Sequence, residues 1–201
     1  MSSTDASPER SPRLFVALDV PDDVRALVER AIRRVRERYP GGRWVPAANQ
    51  HVTVRFLGAT PLARMPHVLE AVARTASRRR SFATRTTTLG AFPSARRARV
   101  LWVGLDDADG HVEALAADLD AALAPVIEPE QRAFTPHLTV ARFDPPVRLE
   151  AAIAGVRCGS DPFEVAALTV YRSHLGGGAP RYEPVATVAL AGDGAGDREG
   201  R

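Results

Sequence analysis

The sequence predicts an α+β fold made of two related lobes, and two observations support this prediction. Strand-like and helix-like segments are mixed without a regular strand-helix-strand alternation, which favours antiparallel pairing. Two segments, Asn49–Gly58 and Thr135–Phe143, also share one pattern: a histidine and a threonine two residues apart in a run of β-branched and aliphatic residues. A similar order of strands and helices surrounds each copy, which indicates a divergent internal duplication.

In the first half of the chain, strand and helix signals surround the first copy of the repeat. Leu14–Leu18 is a short apolar strand, and Pro21 followed by two aspartates begins a helix. The apolar stripe of this helix continues until Tyr39–Gly42, whose proline and glycines end it. The other elements predicted here are a strand over 51–57, a helix over 62–79, a strand over 81–91 and a strand over 100–105.

The second half of the chain follows a similar order. An amphipathic helix over 109–123 precedes the second repeat, whose strand covers 137–143. Residues 1–12 and 191–201 are rich in small, polar and charged residues, so we expect a disordered lead-in and a disordered tail around one bilobal domain over 13–190. The remaining elements predicted are a short helix over 149–156, a strand over 163–171, a glycine-rich bend at Gly176–Gly178 and a strand over 182–190.

The composition is that of a globular protein and excludes several classes. The chain has 201 residues, 45% of them hydrophobic, and its apolar runs are far shorter than the roughly 20 residues that a membrane helix needs. Its polar start has no signal-peptide pattern, so we expect a cytoplasmic protein. The single cysteine, Cys158, has no disulfide partner and no metal-site spacing. All 27 basic residues are arginines, and a net charge of +3 permits a polyanionic partner without requiring one.

The first repeat places polar side chains on one face of a strand. Residues two apart on a β-strand point to the same side, so His51, Thr53 and Arg55 are predicted to share a face. The alternate residues Val52, Val54 and Phe56 are apolar, and we assign them to packing in the core. The polar face is therefore available for a ligand.

The second repeat places His137 and Thr139 on one face in the same way. Two such strands facing each other would make a site with two imidazoles and two hydroxyls. One neutral imidazole can take a proton from water while a protonated imidazole gives one to a leaving oxygen, which suits displacement at phosphorus. Threonine hydroxyls can donate to the non-bridging oxygens and stabilise the charge that builds there.

A metal site is the alternative interpretation of the two histidines. Mononuclear zinc usually takes three protein ligands, and no carboxylate, cysteine or third histidine stands beside either repeat at ligand spacing. We therefore expect neither a metal nor another cofactor. The residues alone do not tell which histidine donates a proton and which one accepts it.

Several segments carry a family resemblance. The pair His51-Val52-Thr53-Val54 and His137-Leu138-Thr139-Val140 resembles the two HxTx motifs of the two-histidine phosphoesterase superfamily. Further segments resemble, in the same order, the bacterial and archaeal RNA 2',3'-cyclic phosphodiesterases, also called 2'-5' RNA ligases, over residues 13 to 190. These segments are Arg13–Leu18, Trp44–Pro46, His51–Gly58, Leu89–Pro93, Val100–Gly104, Phe134–Arg142, Ser173–Leu175 and Arg181–Tyr182.

The resemblance implies a two-histidine phosphoesterase fold, with two lobes related by a pseudo-twofold axis, antiparallel sheets lining a central cleft, and helices outside. It also implies metal-independent hydrolysis of the 2',3'-cyclic phosphate end of RNA to a 2'-phosphate. By family precedent His51 is the proton donor to the departing 3' oxygen and His137 is the base that activates water. Thr53 and Thr139 would bind the phosphate.

Four further side chains are candidates on weaker grounds. Arg142 matches a family arginine near the phosphate, yet strict alternation puts it on the face opposite His137. Either a β-bulge or the end of the strand turns it toward the phosphate, or it has a structural role; we favour the phosphate contact. Phe134 and Tyr182 are candidates for stacking on a terminal base, and so is Phe56, for which we favour core packing.

The implied partners are RNA with 2',3'-cyclic phosphate ends or cyclic nucleotides, and we expect a monomer that binds no membrane. Two alternative functions stay open. One is an ATP-independent 2'-5' RNA ligase that joins tRNA halves in the same site. The other is a non-catalytic module that binds nucleotides or RNA ends.

Overall fold

The structure is a computed structural model of the whole chain, and it describes residues 11–131, 133–174 and 180–192. The sequence predictions for the first ten residues, for the Gly176–Gly178 bend and for residues 193–201 lie outside these ranges. None of the described helices is long and apolar enough to cross a membrane.

Ten strands and four helices make up the described fold. The strands are β1 (Arg13–Asp19), β2 (Arg43–Trp44), β3 (His51–Ala59), β4 (Phe82–Thr84), β5 (Thr86–Phe92), β6 (Ala98–Leu105), β7 (His137–Val147), β8 (Phe163–Val165), β9 (Ala167–His174) and β10 (Arg181–Ala189). The helices are α1 (Asp22–Arg38), α2 (Met65–Ala76), α3 (His111–Leu123) and α4 (Glu150–Ile153).

The predicted α+β class with antiparallel pairing is confirmed. Seven strands form one open sheet in the order β10-β9-β1-β3-β7-β6-β5, and β2 pairs with β7 as an eighth member. The two lobes do not have separate sheets, because Val52 of β3 pairs with Leu138 of β7 and joins both halves into one. A second, two-stranded sheet consists of β4 and β8.

Two long predicted strands are each divided in two. The strand expected over 81–91 is β4 and β5, and the strand expected over 163–171 is β8 and β9. The division occurs because β4 and β8 pair with each other while β5 and β9 join the main sheet. Each segment thus leaves one sheet and enters another, which hydrophobic alternation alone does not reveal.

Backbone hydrogen bonds also involve the residues next to both ends of the range 13–190. The Pro12 carbonyl accepts a hydrogen bond from the Thr60 amide at 2.9 Å. The Ala191 amide donates to the carbonyls of Ala76 and Arg79, at the end of α2. These backbone bonds hold residues that the sequence assigns to the lead-in and the tail.

The helices cover one face of the main sheet and leave the other face open. Leu14, Val16 and Leu18 of β1 belong to the buried core, together with the apolar stripes of α1, α2 and α3. The alternate residues of β1 point to the opposite face. We call this opposite face the cleft face.

The internal duplication is visible in the strand register. On β3, Thr53 and Arg55 pair with consecutive residues of β1, so Val54 is one extra residue, a β-bulge. On β7, Thr139 and Ala141 pair with consecutive residues of β6, so Val140 is the extra residue. The two motif strands therefore bulge at the same position, three residues after their histidines.

Candidate active site

The four motif side chains lie on the cleft face across the joint between the lobes. The residue after each histidine pairs with its counterpart on the other strand. Continuing this antiparallel register by one residue sets His51 opposite Thr139, and it sets Thr53 opposite His137. Side chains directly opposite each other on an antiparallel pair have Cβ atoms about 5 Å apart. The structure thus brings together the four side chains that the sequence singled out.

Two adjoining cavities open on either side of these residues. His137 lines a larger cavity of about 650 Å³, and His51 lines a smaller cavity of about 510 Å³. Volumes of this size suit small-molecule ligands. Both cavities are lined by Thr53, Phe56, Thr139 and Arg142, so they meet where the threonines are.

Both imidazoles are oriented by the same kind of hydrogen bond. The Nδ1 of His51 lies 2.7 Å from the carbonyl oxygen of Asn49, and the Nδ1 of His137 lies 2.6 Å from that of Thr135. A carbonyl only accepts, so Nδ1 carries the proton in each ring and Nε2 is left for chemistry. The Nε2 of His51 is 2.9 Å from the Thr53 hydroxyl.

His51 stands in an aromatic enclosure. The Phe15 ring stacks on it at 4.7 Å between centroids, and Tyr182 approaches it edge-on at 5.2 Å. Burial lowers the pKa of His51 to about 4, although the Asn49 carbonyl and the Asp19 carboxylate act in the opposite direction. The imidazole is therefore neutral at pH 7 in the empty cleft.

His137 has a different enclosure. The rings of Phe92 and Trp102 lie 5.1 Å and 6.1 Å from it. Trp102 passes so close over Gly90 that a Cβ there would lie 2.2 Å from the indole ring. Burial lowers the pKa of His137, and the positive charge of Arg142 lowers it further, against the effect of the Thr135 carbonyl.

One carboxylate distinguishes the two halves of the site. Asp19 pairs with His51 across β1 and β3, whereas Gly104 takes the equivalent place opposite His137. The Tyr171 hydroxyl donates to the Asp19 carboxylate at 2.6 Å and holds it in place. The sequence analysis did not identify Asp19, because an acidic residue at the end of an apolar strand also marks an ordinary strand end.

The two bulges re-aim the residues that follow them, and two predictions are wrong for this reason. Arg55 does not share the open face with His51, because it is only 6% exposed. Phe56 does not pack in the core, because it is 53% exposed and lines both cavities. The matching bulge on β7 turns Arg142 toward the cleft, on the same side as His137.

The sequence also matches the model of a known protein family. The sequence model of the 2'-5' RNA ligase superfamily matches residues 20–177, most of the chain. The protein belongs to this superfamily. The predicted resemblance to the two-histidine phosphoesterases is thereby confirmed.

Relatives within the 2'-5' RNA ligase superfamily match over most of the chain. An RNA 2',3'-cyclic phosphodiesterase of Thermus thermophilus is 30% identical over 189 residues, which are 90% of this chain and 91% of the relative. One from Aeropyrum pernix is 31% identical over 152 residues, 73% of this chain and 85% of the relative. One from Geobacillus stearothermophilus is 27% identical over 182 residues, 89% of this chain, but the match spans only 57% of that relative.

Solved structures of the superfamily share the fold. TT0787 of Thermus thermophilus superposes with a TM-score of 0.75 and 28% identity, covering 90% of this chain and all of that one. LigT of E. coli complexed with 3'-AMP superposes with a TM-score of 0.68 and 27% identity, covering 89% and 98%. The bilobal two-histidine phosphoesterase fold is therefore confirmed.

The two aromatic candidates lie at opposite ends of this superfamily site. Phe134 lines the larger cavity and Tyr182 the smaller one. They therefore face different parts of any ligand that spans the threonines. Among the described residues, no group of three histidine, cysteine or acidic side chains is arranged to hold a metal ion.

Proposed function

We propose that the protein hydrolyses 2',3'-cyclic phosphate ends of RNA to 2'-phosphomonoesters, with two histidines as acid and base and without a metal. One observation carries this proposal: two imidazoles, each with Nδ1 bound to a backbone carbonyl, flank two threonines on one face of the sheet. Relatives that bear the name RNA 2',3'-cyclic phosphodiesterase support the substrate class.

The geometry suits in-line displacement at phosphorus. The Nε2 of His137 takes a proton from water, and the water oxygen attacks the phosphorus of the cyclic phosphate. The bond from phosphorus to the 3' oxygen breaks, and the Nε2–H of His51 gives that oxygen its proton. The product has a 2'-phosphate and a free 3' hydroxyl. His137 has gained a proton from the water, and His51 has lost one to the 3' oxygen.

Three side chains at the junction of the cavities stabilise the charge on the non-bridging oxygens. Thr53 and Thr139 are placed to donate hydroxyl hydrogen bonds, and Arg142 supplies a positive charge with a forked donor geometry. These roles need no movement of charge within the protein during the reaction. A phosphate anion among these groups also favours protonated imidazoles, which offsets the low pKa that burial imposes on His51.

The charges beside the two histidines support the assignment of donor and acceptor. Asp19 lies opposite His51 and favours its protonated form, which a proton donor needs, while the charge of Arg25 acts in the opposite direction. Arg142 acts on His137 and favours its neutral form, which a base needs. Structures of E. coli LigT complexed with 3'-AMP and with phosphate support a nucleotide and its phosphate as ligands of this site.

The test is turnover of a trinucleotide that ends in a 2',3'-cyclic phosphate, measured in EDTA. General acid or base catalysis contributes roughly 10²- to 10⁴-fold, so His51→Ala and His137→Ala should each lose at least about 10² in kcat. His67→Ala, at an exposed position of α2, is the control and should keep full activity. Circular dichroism checks that all three variants are folded.

Full activity in both active-site variants would disprove the proposal. Locating the phosphate on the product decides the regiochemistry, because only cleavage of the bond to the 3' oxygen leaves a 2'-phosphate. Offering tRNA halves in the same assay reveals ATP-independent joining. Tight binding without any product would identify a binding module instead.

A further inference from the structure

The smaller cavity contains a second arginine whose role the reaction does not explain. Arg13 lines this cavity together with Arg142 and with the polar side chains of Asn49 and Ser173. Neither arginine forms an ion pair with any carboxylate of the described residues, in contrast to Arg25 of α1 and to Arg79, which follows α2. Two unpaired guanidinium groups at one cavity make it a site for phosphate groups.

Arg13 lies farther along the cleft than the groups that would hold the reacting phosphate. Arg13 and Ala17 are on the cleft face of β1, and Ala17 pairs with Thr53. Four residue steps along a strand cover about 13 Å, so the backbone of Arg13 is about that far from the level of Thr53. Arg142, by contrast, lines both cavities at their junction. Arg13 therefore suits a neighbouring phosphate of the same ligand.

The larger cavity has the opposite charge character. Its described lining includes Glu113, Asp120 and Glu130. Its described arginines are Arg142, at the junction, and Arg55, which is buried in an ion pair with Asp120 at 2.8 Å. A polyanionic chain is thus favoured in the smaller cavity, whose described lining has two arginines and no carboxylate, over the larger one, where carboxylates offset the guanidinium groups.

The chemistry of the proposed function, on which this inference rests, selects the same side. In an in-line displacement the attacking water and the departing oxygen lie on opposite sides of phosphorus. With His137 beside the water and His51 beside the 3' oxygen, the ribose that carries this oxygen lies on the His51 side. A cyclic phosphate occupies the 3' end, so the RNA continues only through its 5' oxygen. The next phosphate is therefore in or beside the smaller cavity.

We propose that Arg13 binds the phosphate on the 5' side of the terminal nucleoside and so makes the enzyme selective for RNA ends over cyclic mononucleotides. The guanidinium fork holds two oxygens of that phosphate. This contact is absent with a substrate that has only a 5' hydroxyl. Selectivity then comes from a residue that touches no reacting atom.

The minimal test compares adenosine 2',3'-cyclic phosphate with the same compound carrying a 5'-phosphate. The wild-type enzyme should prefer the 5'-phosphorylated substrate in kcat/KM by about tenfold or more, the usual size of a charge-assisted contact. Arg13→Ala should abolish this preference, so that kcat/KM becomes equal for the two substrates. Arg172→Ala is the matched control. Arg172 pairs with Leu14 on the neighbouring strand and points to the other face of the sheet, and its replacement removes the same charge.

A binding measurement tests Arg13 without turnover. Calorimetry compares the two products, adenosine 2'-phosphate and adenosine 2',5'-bisphosphate. The wild-type protein should bind the bisphosphate at least about tenfold more tightly at low salt, and Arg13→Ala should bind both equally. A preference that survives in Arg13→Ala, or that falls equally in Arg172→Ala, would overturn the inference. If the wild-type protein shows this binding preference but does not turn over either cyclic phosphate, the proposed reaction is refuted and the role of Arg13 is not.

Discussion

The ion pair between Arg55 and Asp120 should contribute far more to stability than its neighbour between Arg79 and Asp118. Both acidic residues are on α3, two positions apart. The carboxylate of Asp120 lies 2.8 Å from the Arg55 guanidinium, and that of Asp118 accepts a hydrogen bond from the Arg79 guanidinium at 2.6 Å. Arg55 is 6% exposed, whereas Arg79 and Asp118 are 35% and 42% exposed. Replacing each aspartate by asparagine therefore compares a buried pair with a surface pair at constant shape.

The magnitude follows from the surroundings of Arg55. Removing one partner of a fully buried pair costs about 3–5 kcal/mol, because the other charge is left uncompensated. Asp120 is 31% exposed, and Arg55 keeps the Glu130 carboxylate at 3.9 Å and the carbonyls of Phe56 and Glu128 as partners. We therefore expect Asp120→Asn to lower the free energy of unfolding by about 2 kcal/mol. Asp118→Asn should lower it by less than about 1 kcal/mol.

Urea unfolding followed by circular dichroism measures both values. With a slope of about 2–3 kcal/mol per molar urea, the midpoint of Asp120→Asn should fall by close to 1 M, and the slope itself should not change. A higher salt concentration should remove most of the stability difference between the wild type and Asp118→Asn. It should remove little of the difference between the wild type and Asp120→Asn, because buried charges are poorly screened. Equal midpoints for the two variants would refute the idea that burial of Arg55 sets the difference.

Three further predictions concern the histidines and the wall of the cleft. The pKa of His51 lies near 4, and that of His137 is also lowered, so kcat/KM should reach its maximum below pH 6.5. Above the maximum it should fall about tenfold per pH unit. An optimum above pH 7.5 would contradict this prediction. Binding of inorganic phosphate at pH 7 should be coupled to more proton uptake in the wild type than in His51→Ala, measured as the buffer dependence of the binding heat, because the titration of phosphate itself is common to both proteins. Equal proton uptake would show that His51 does not respond. Gly90→Ala should lower the free energy of unfolding by about 1–3 kcal/mol and reduce kcat, because the added Cβ displaces Trp102 beside His137. Gly41 has open space around it, so Gly41→Ala should change neither the free energy of unfolding nor kcat.

Much of the fold was predictable because its signals are local. Hydrophobic periodicity and the proline and glycine signals correctly placed α1, α3 and the two motif strands, since burial of one face requires these patterns. The division of two predicted strands between sheets was not predictable. Alternation is the same whether a strand pairs with one neighbour or another, so only the tertiary arrangement shows where the chain changes sheets.

The residues that follow the bulges show the limit of reasoning from spacing. Strict alternation placed Arg55 on the open face and Phe56 in the core, and both assignments failed because Val54 is an extra residue in the ladder. The same insertion at Val140 resolves the conflict over Arg142, which alternation placed on the wrong face. A bulge has no distinctive residue here, so the sequence does not reveal it.

The sequence by itself singled out the four side chains to which we assign the proposed chemistry, and it predicted that each pair shares a face, because a period of two is a property of any β-strand. It also determined the family, since several motifs occur in the right order along one chain. The tertiary structure decided how the two halves meet, which carboxylate or cation lies beside each imidazole, and which cavity is positively charged. Those depend on register between distant strands, and register depends on packing throughout the core.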